Sequence, residues 1–246
     1  MNINDIENYL KQIRDFSDYV YLHVLGEPLL HKKIDEILSI TDELKINVQL
    51  VTNGTLLNSK IFNHPSLRKL SISLHSVNNQ NDTNYFENIK NIINEVHNAY
   101  IELRFYDYDN LDKNLKEFKE YLYITYKVEN TPKINSYKIK DNVYIYYDNL
   151  FKWPSINDPI ISEQGKCHGA IDQLAILVNS DVTVCCLDPK GYNRIGNLKE
   201  NSLKEILESK KYKEIVDNFK NNKLTLELCK KCSYRLRFDD KQNLKQ

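Results

Sequence analysis

No cysteine occurs before Cys167, and five then fall between Cys167 and Cys232. No sign of charge dominates: 34 basic residues balance 34 acidic ones, so no bulk field favours nucleic acid or an anionic membrane. Long apolar runs are also missing. The longest aliphatic stretch, Leu174 to Val178, is far too short to span a bilayer. Met1-Asn-Ile-Asn-Asp lacks the basic-then-apolar pattern of a secretion signal, so reduced thiols in the cytoplasm are expected rather than disulfides. There is no solenoid-type repeat and no low-complexity tract. A chain of 246 residues suits one large or two modest domains with a proper core.

The cysteines that are present are closely grouped. Cys229-Lys230-Lys231-Cys232 is a C-x-x-C knuckle, whose two thiolates reach one ion or cluster from a single turn. Cys167 and the Cys185-Cys186 pair bring further thiols from separate segments. Buried free thiols would account for one spare cysteine, but not for the knuckle and the clustering. An odd total of five fits four ligands and one spare. Spacing alone leaves zinc and an iron–sulfur cluster both open.

Upstream, apolar residues alternate between strand and helix periods. Ile6, Leu10, Ile13 and Phe16 share a helical face, with Asn4 and Glu7 resembling a capping box. A strand is predicted over 19–24, a helix carrying Ile34 to Leu44, and a strand over 46–52. Strand 70–75 then precedes a helix with Phe86, Ile89, Ile93 and Val96, and strand 100–106 precedes one with Leu115, Phe118 and Leu122. This order argues for βαβ units and a parallel sheet. Leu70, Ile72 and Leu74 oppose Ser71, Ser73 and His75, and Ile101, Leu103 and Phe105 oppose Glu102, Arg104 and Tyr106. A polar face suits a barrel or half-barrel with a working lumen, to which Gln49 and His23 would also belong. Edge strands with one wet face give the same pattern. Beyond Val128, hairpins are predicted over 134–147 and 174–186, and short helices over 202–209 and around Ile215, Val216 and Phe219. The domains expected are 1–150, a linker at 151–164, and 165–246.

Two strand-end motifs, Leu25-Gly26-Glu27-Pro28-Leu29-Leu30-His31 and Val51-Thr52-Asn53-Gly54-Thr55-Leu56-Leu57, resemble those of radical S-adenosylmethionine (radical SAM) enzymes. The segment from Cys167 through Val182 to Asp188, Ile195 to Leu198 and Ser202-Leu203 to the knuckle resembles the SPASM-type extension of that superfamily. The resemblance implies an α/β fold: a partial (β/α) barrel followed by a small SPASM-like iron–sulfur domain. It implies that Gly26, Glu27 and Pro28 receive the methionine end of S-adenosylmethionine (AdoMet), where a carbonyl and a carboxylate accept from its ammonium. Thr52, Asn53 and Gly54 would shape the pocket. Ser73 and Arg104 would hold ribose or carboxylate, the planar guanidinium suiting the latter. An auxiliary 4Fe–4S cluster on Cys167, Cys185, Cys229 and Cys232 is implied as well. Cys185 matches the family's cysteine after the hairpin, and alternation along a strand would turn Cys186 away. Asn179-Ser180 stands where the family usually has Asp-Gly.

One motif of the family is absent. Its catalytic cluster sits on a CxxxCxxC loop after the first barrel strand, and here no cysteine precedes Cys167. The expectation is a chain truncated relative to the family, without that strand and loop, binding AdoMet weakly or not at all and performing no radical chemistry by itself. The parent enzyme would cleave AdoMet reductively to a 5′-deoxyadenosyl radical. It would take electrons from a reductant protein and modify a peptide or small molecule, with no nucleic-acid or membrane partner. The competing expectations are a non-catalytic binding scaffold and a structural zinc protein.

Overall fold

The computed structural model describes residues 1–75, 84–107, 110–128 and 136–239. The first two residues of the strand expected at 134 and the last seven of the domain expected at 165–246 lie outside the described residues. Two compact units are present, one of residues 14–150 and one of 1–13 with 151–246.

The first unit is a six-stranded sheet with helices. Its elements are β1 (Tyr19–Leu22), α2 (Ile34–Glu43), β2 (Asn47–Thr52), β3 (Leu67–Ser73), α3 (Tyr85–Glu95), β4 (Tyr100–Tyr106), α4 (Lys113–Thr125), β5 (Ser136–Lys140) and β6 (Val143–Asp148); α1 (Ile3–Arg14) precedes them. Strand order is β1-β2-β3-β4-β6-β5. All neighbours are parallel except β5 and β6, which form the expected hairpin. Asn142 makes this turn possible by adopting a φ of 62°, a left-handed conformation that Asn tolerates better than most residues. Asp112 starts α4 by accepting from the amides of Asn114 and Leu115 at 2.8 and 3.1 Å, the usual service of an N-cap.

The alternation read from sequence is what divides this sheet into two faces. Leu70, Ile72, Leu74, Ile101, Leu103, Phe105, Val143 and Ile145 are fully buried in one core with Ile89, Ile93 and Leu122 of the helices. The register sets Gln49 beside Lys69, and lines up Val51 with Ser71, Glu102 and Tyr144. One layer further, Ser73, Arg104 and Tyr146 are in line. Polar side chains thus share the opposite face at the carboxyl half of the strands.

The second unit holds the cysteines. A small antiparallel sheet of β7 (Ala175–Ile176), β8 (Asp181–Thr183) and β9 (Arg194–Asn197) is followed by α5 (Leu203–Glu208), α6 (Lys210–Lys220), α7 (Glu227–Lys230) and α8 (Leu236–Asp239). Ser202 and Glu205 form a full capping box at α5. The core gathers Val182, Val184, Ile195, Leu198, Ile206, Ile215, Phe219 and Leu224.

Three expectations are revised here. Helix α1 begins at Ile3, and Asn2 rather than Asn4 caps it, accepting from the Asp5 amide at 2.9 Å. Residues 1–13 also join the second unit rather than the first. Tyr9 is buried in its core, the Tyr9 hydroxyl donates to Ser180 Oγ at 2.7 Å, and Leu203 N donates to Gln12 Oε1 at 2.7 Å. Periodicity had placed Leu10 on the buried face of α1 but missed Tyr9, and Phe16, expected on that face, lies beyond the helix and is exposed. The stretch expected as a linker is strapped down: Ile161 N donates to Lys230 O at 2.8 Å, Leu224 N to Glu163 O at 2.8 Å, and Lys231 Nζ to Ile156 O at 2.6 Å. Backbone pairing of this kind leaves no mark in composition.

Candidate functional sites

In the sheet unit, the two glycine-bearing turns are held together by one carboxylate. Glu27 caps a short 3₁₀ turn at Pro28–Leu30, where its Oε1 accepts from Leu29 N at 3.0 Å. The same oxygen accepts from Thr52 Oγ1 at 2.8 Å, and Oε2 accepts from Asn53 N at 2.7 Å. Thr52 in turn takes the Gly54 amide at 3.0 Å. Of the expected residues, Glu27, Thr52, Asn53 and Gly54 therefore form one network, with Gly26 and Pro28 on either side of Glu27. Three protein donors already sit on the Glu27 carboxylate, leaving about one of its roughly four lone-pair sites for a ligand. Gly26, exposed at a φ of +134°, has nothing within 4 Å of where a Cβ would lie, so its backbone is accessible.

Tyr85 was missed by the sequence reading, which began the α3 pattern at Phe86. Its hydroxyl donates to Asn53 O at 2.8 Å. A Cβ on Gly54, whose φ is +80°, would lie 3.1 Å from that hydroxyl and 3.0 Å from Ile72 Cγ2. Burial, with the Glu27 charge second, raises the phenol well above its ordinary pKa, so it remains a donor. An aromatic one residue before the apolar stripe was the available signal.

Ser73 and Arg104 face each other in register on β3 and β4. Arg104 is already engaged: its Nε donates to Glu102 Oε1 at 2.5 Å. Ser71 Oγ donates to the same oxygen at 3.0 Å, and Lys69 Nζ reaches Glu102 Oε2 at 2.7 Å. Burial would raise the Glu102 pKa, but Arg104 and Lys69 outweigh it and hold the carboxyl below its usual value. Two cations against one carboxylate leave a net positive site. Burial lowers the pKa of both His23 and His75, with Arg104 adding to the effect on His23. Both are neutral at pH 7. His23 Nδ1 is buried without a hydrogen-bond partner among the described residues.

The second unit brings its thiols together from three segments. Cys167 follows the strapped stretch, Cys185 lies just past β8, and Cys229 and Cys232 flank the end of α7. Cys185 interacts electrostatically with Cys167, Cys229 and Cys232. Amides point at the sulfurs: Gly169 N to Cys167 at 3.4 Å, Leu187 N and Gln173 Nε2 to Cys185 at 3.4 and 3.6 Å, and Asn193 Nδ2 to Cys229 at 3.4 Å. Burial pushes the Cys167 thiol up to about 11 and raises Cys229 and Cys232 too, each thiol's neighbours adding to the shift. As the thiols stand, no three His, Cys, Asp or Glu side chains among the described residues are grouped to hold a metal ion. The donor chemistry nevertheless fits a cluster. Crowded, buried thiols oppose their own ionisation, amide donors favour the thiolate, and a bound cationic core would supply the missing charge.

The Cys185-Cys186 pair departs from the expected geometry. Strand β8 ends at Thr183, so alternation does not apply to the pair, and the two thiols hydrogen-bond each other. That bond, ahead of burial, is what raises Cys185, while it lowers Cys186. Cys186 does not simply turn away, because it also senses Cys167. Cys185 alone of the two is felt by all three remaining thiols.

Residues 167–233 match the SPASM family, described as an iron–sulfur cluster-binding domain. No curated protein matches the chain in sequence. Among solved structures, that of BtrN in complex with AdoMet and 2-DOIA is similar, at 17% identity and a TM-score of 0.56 over 95% of this chain and 80% of that one. That of histidine-tagged anSMEcpe with bound AdoMet is similar at 15% identity and a TM-score of 0.55, over 96% and 78%. At such identities the likeness is one of fold. No helix among the described residues is long and apolar enough to cross a membrane. Residues 167–233 thus match a SPASM domain, and the chain shares the fold of these two AdoMet-bound structures.

Proposed function

We propose that this chain holds one auxiliary 4Fe–4S cluster on Cys167, Cys185, Cys229 and Cys232 and presents a strand-end site for AdoMet. In this reading it is the substrate-handling part of a radical SAM enzyme acting on a peptide or small molecule. The observation that carries it is the convergence of four thiols from three segments, with amide donors on each of the four sulfurs.

Such a cluster supplies one-electron chemistry or a ligation point for substrate. The chain's own residues do the positioning. Glu27 ties the 26–28 turn to the end of β2, which leaves the exposed Gly26 backbone to meet an ammonium. Lys69, Glu102 and Arg104 give the polar face its net positive charge for a carboxylate. The family's CxxxCxxC motif is not among these 246 residues.

Anaerobic reconstitution with iron and sulfide tests the reading. About four irons and four sulfides per chain are expected. Cys229→Ala or Cys232→Ala should abolish them, and Cys186→Ala should leave them. Uptake of one zinc with no iron–sulfur chromophore would replace the reading with a structural zinc site. Loss of the cluster in Cys186→Ala with retention in Cys185→Ala would exchange the two neighbours.

A further inference from the structure

Arg235 is an unusual residue to bury. It is 2% exposed, in a segment that begins three residues after Cys232. One ion pair serves it: Nη1 meets Asp239 Oδ2 at 2.8 Å. Its Nε is buried with no acceptor among the described residues. A buried guanidinium with an idle N–H is costly unless an anion is meant to face it. The backbone is built around this side chain. Gly165 has a φ of +139°, a backbone conformation that L side chains rarely adopt, and the Arg235 guanidinium occupies the space a Cβ would take. The next amide, Lys166 N, donates to Asp239 Oδ1 at 3.1 Å. The Arg235–Asp239 pair thereby fixes the chain immediately before Cys167.

Its position points the same way. The guanidinium packs against Gly165, two residues before Cys167, and the Arg235 and Tyr234 amides donate to Cys232. Asp188, three residues after Cys185, is the acidic group nearby in the chain. Asp188 is committed to the amides of Tyr192 and Asn193 at 2.9 and 2.7 Å. A 4Fe–4S core with four thiolates carries a net charge of about −2, and one more on reduction. The buried Arg235 side chain thus links the turn after Cys232 to the chain just before Cys167.

We propose that Arg235 is the built-in counter-charge of the cluster on Cys167, Cys185, Cys229 and Cys232, a positioning residue that orders the Cys167 approach and raises the cluster's reduction potential. This rests on the cluster reading above and adds to it a specific device for setting the potential. Asp239 is the opposing half of the device, because it partly neutralises the guanidinium.

The experiment is a redox titration, followed by electron paramagnetic resonance, of the reconstituted full chain and its variants. Arg235→Gln removes the cation and should lower the one-electron reduction constant about tenfold, a shift of ~59 mV to more negative potential. Asp239→Asn unmasks the cation and should shift the potential the opposite way, while Arg235→Lys should stay near wild type. Iron and sulfide content of the wild-type chain is measured first, and failure there sinks the cluster reading itself. Given a loaded wild type, unchanged potentials in both Arg235→Gln and Asp239→Asn overturn the counter-charge proposal. If Arg235→Gln cannot retain the cluster, the Asp239→Asn potential decides alone: a positive shift supports the proposal and no shift overturns it.

Discussion

Replacing Glu27 with Gln tests whether one carboxylate organises the candidate AdoMet site. The amide keeps its carbonyl for Leu29 N and Thr52 Oγ1, which now lie 3.0 and 2.8 Å from Oε1. On the other side its NH₂ would face Asn53 N, now a donor at 2.7 Å, so a donor would meet a donor. Leaving that partly buried amide unpaired costs about 1–3 kcal/mol, and weakening two charge-assisted bonds to neutral ones adds roughly 1 kcal/mol. A total of about 2–4 kcal/mol is expected, lowered to the extent that water reaches Asn53. Urea unfolding gives the global part, and amide hydrogen exchange at Leu29 and Asn53 gives the local part. Thr52→Val should cost about 1–2 kcal/mol, since Thr52 both donates to Glu27 and accepts from Gly54 N. The double variant should be less destabilised than the sum, because the two side chains share a bond. Wild-type stability together with an Asn53 amide still protected in Glu27→Gln would refute the reasoning.

Two further outcomes follow from the same kind of accounting. Tyr9→Phe deletes the hydroxyl bond to Ser180, which sits in the turn at a φ of 73°; about 1 kcal/mol should be lost, with faster exchange in α1 and the β7–β8 turn. A pH-dependent clamp is expected at His64, which reaches Asp42 through Nδ1 at 2.7 Å and Asp35 through Nε2 at 3.0 Å. Burial opposes its protonation, but the bonds to Asp35 and Asp42 outweigh burial and raise its pKa above 6.5. Its stabilisation is therefore complete below 6.5 and is lost as pH rises through the folded value. The Asp42 pKa is lowered because Ser66 and His64 outweigh burial, so that contribution fades only as pH falls through the acid range. Unfolding midpoints should thus decline from about pH 6 to 8 in wild type and not in His64→Gln. Equal slopes in the two proteins would remove the clamp.

The SPASM segment and the parallel-sheet fold were legible because their signals are local. A period of two along β3 and β4 fixes which residues face the helices, since burying Leu70, Ile72 and Leu74 or Ile101, Leu103 and Phe105 requires only adjacent alternation. A C-x-x-C knuckle is likewise defined within one turn. Gly26, Gly54 and their neighbours could be marked as strand-end turns from the same short range. Tertiary structure alone decided which surfaces these local pieces meet. The apolar stripe of α1 says that Leu10 is buried, but only the three-dimensional fold buries Tyr9 and sets it against Ser180 and the second core. Glu27 reads as an open carboxylate until Leu29, Thr52 and Asn53 are seen to occupy it. Cys185 and Cys186 cannot be assigned by alternation, because the strand stops before them and their free thiols interact with each other. Arg235 leaves no mark in sequence, where an arginine near the end of the chain looks like surface. Periodicity is a property of neighbours along the chain, whereas hydrogen-bond partners and the charges that a buried group feels are chosen across it.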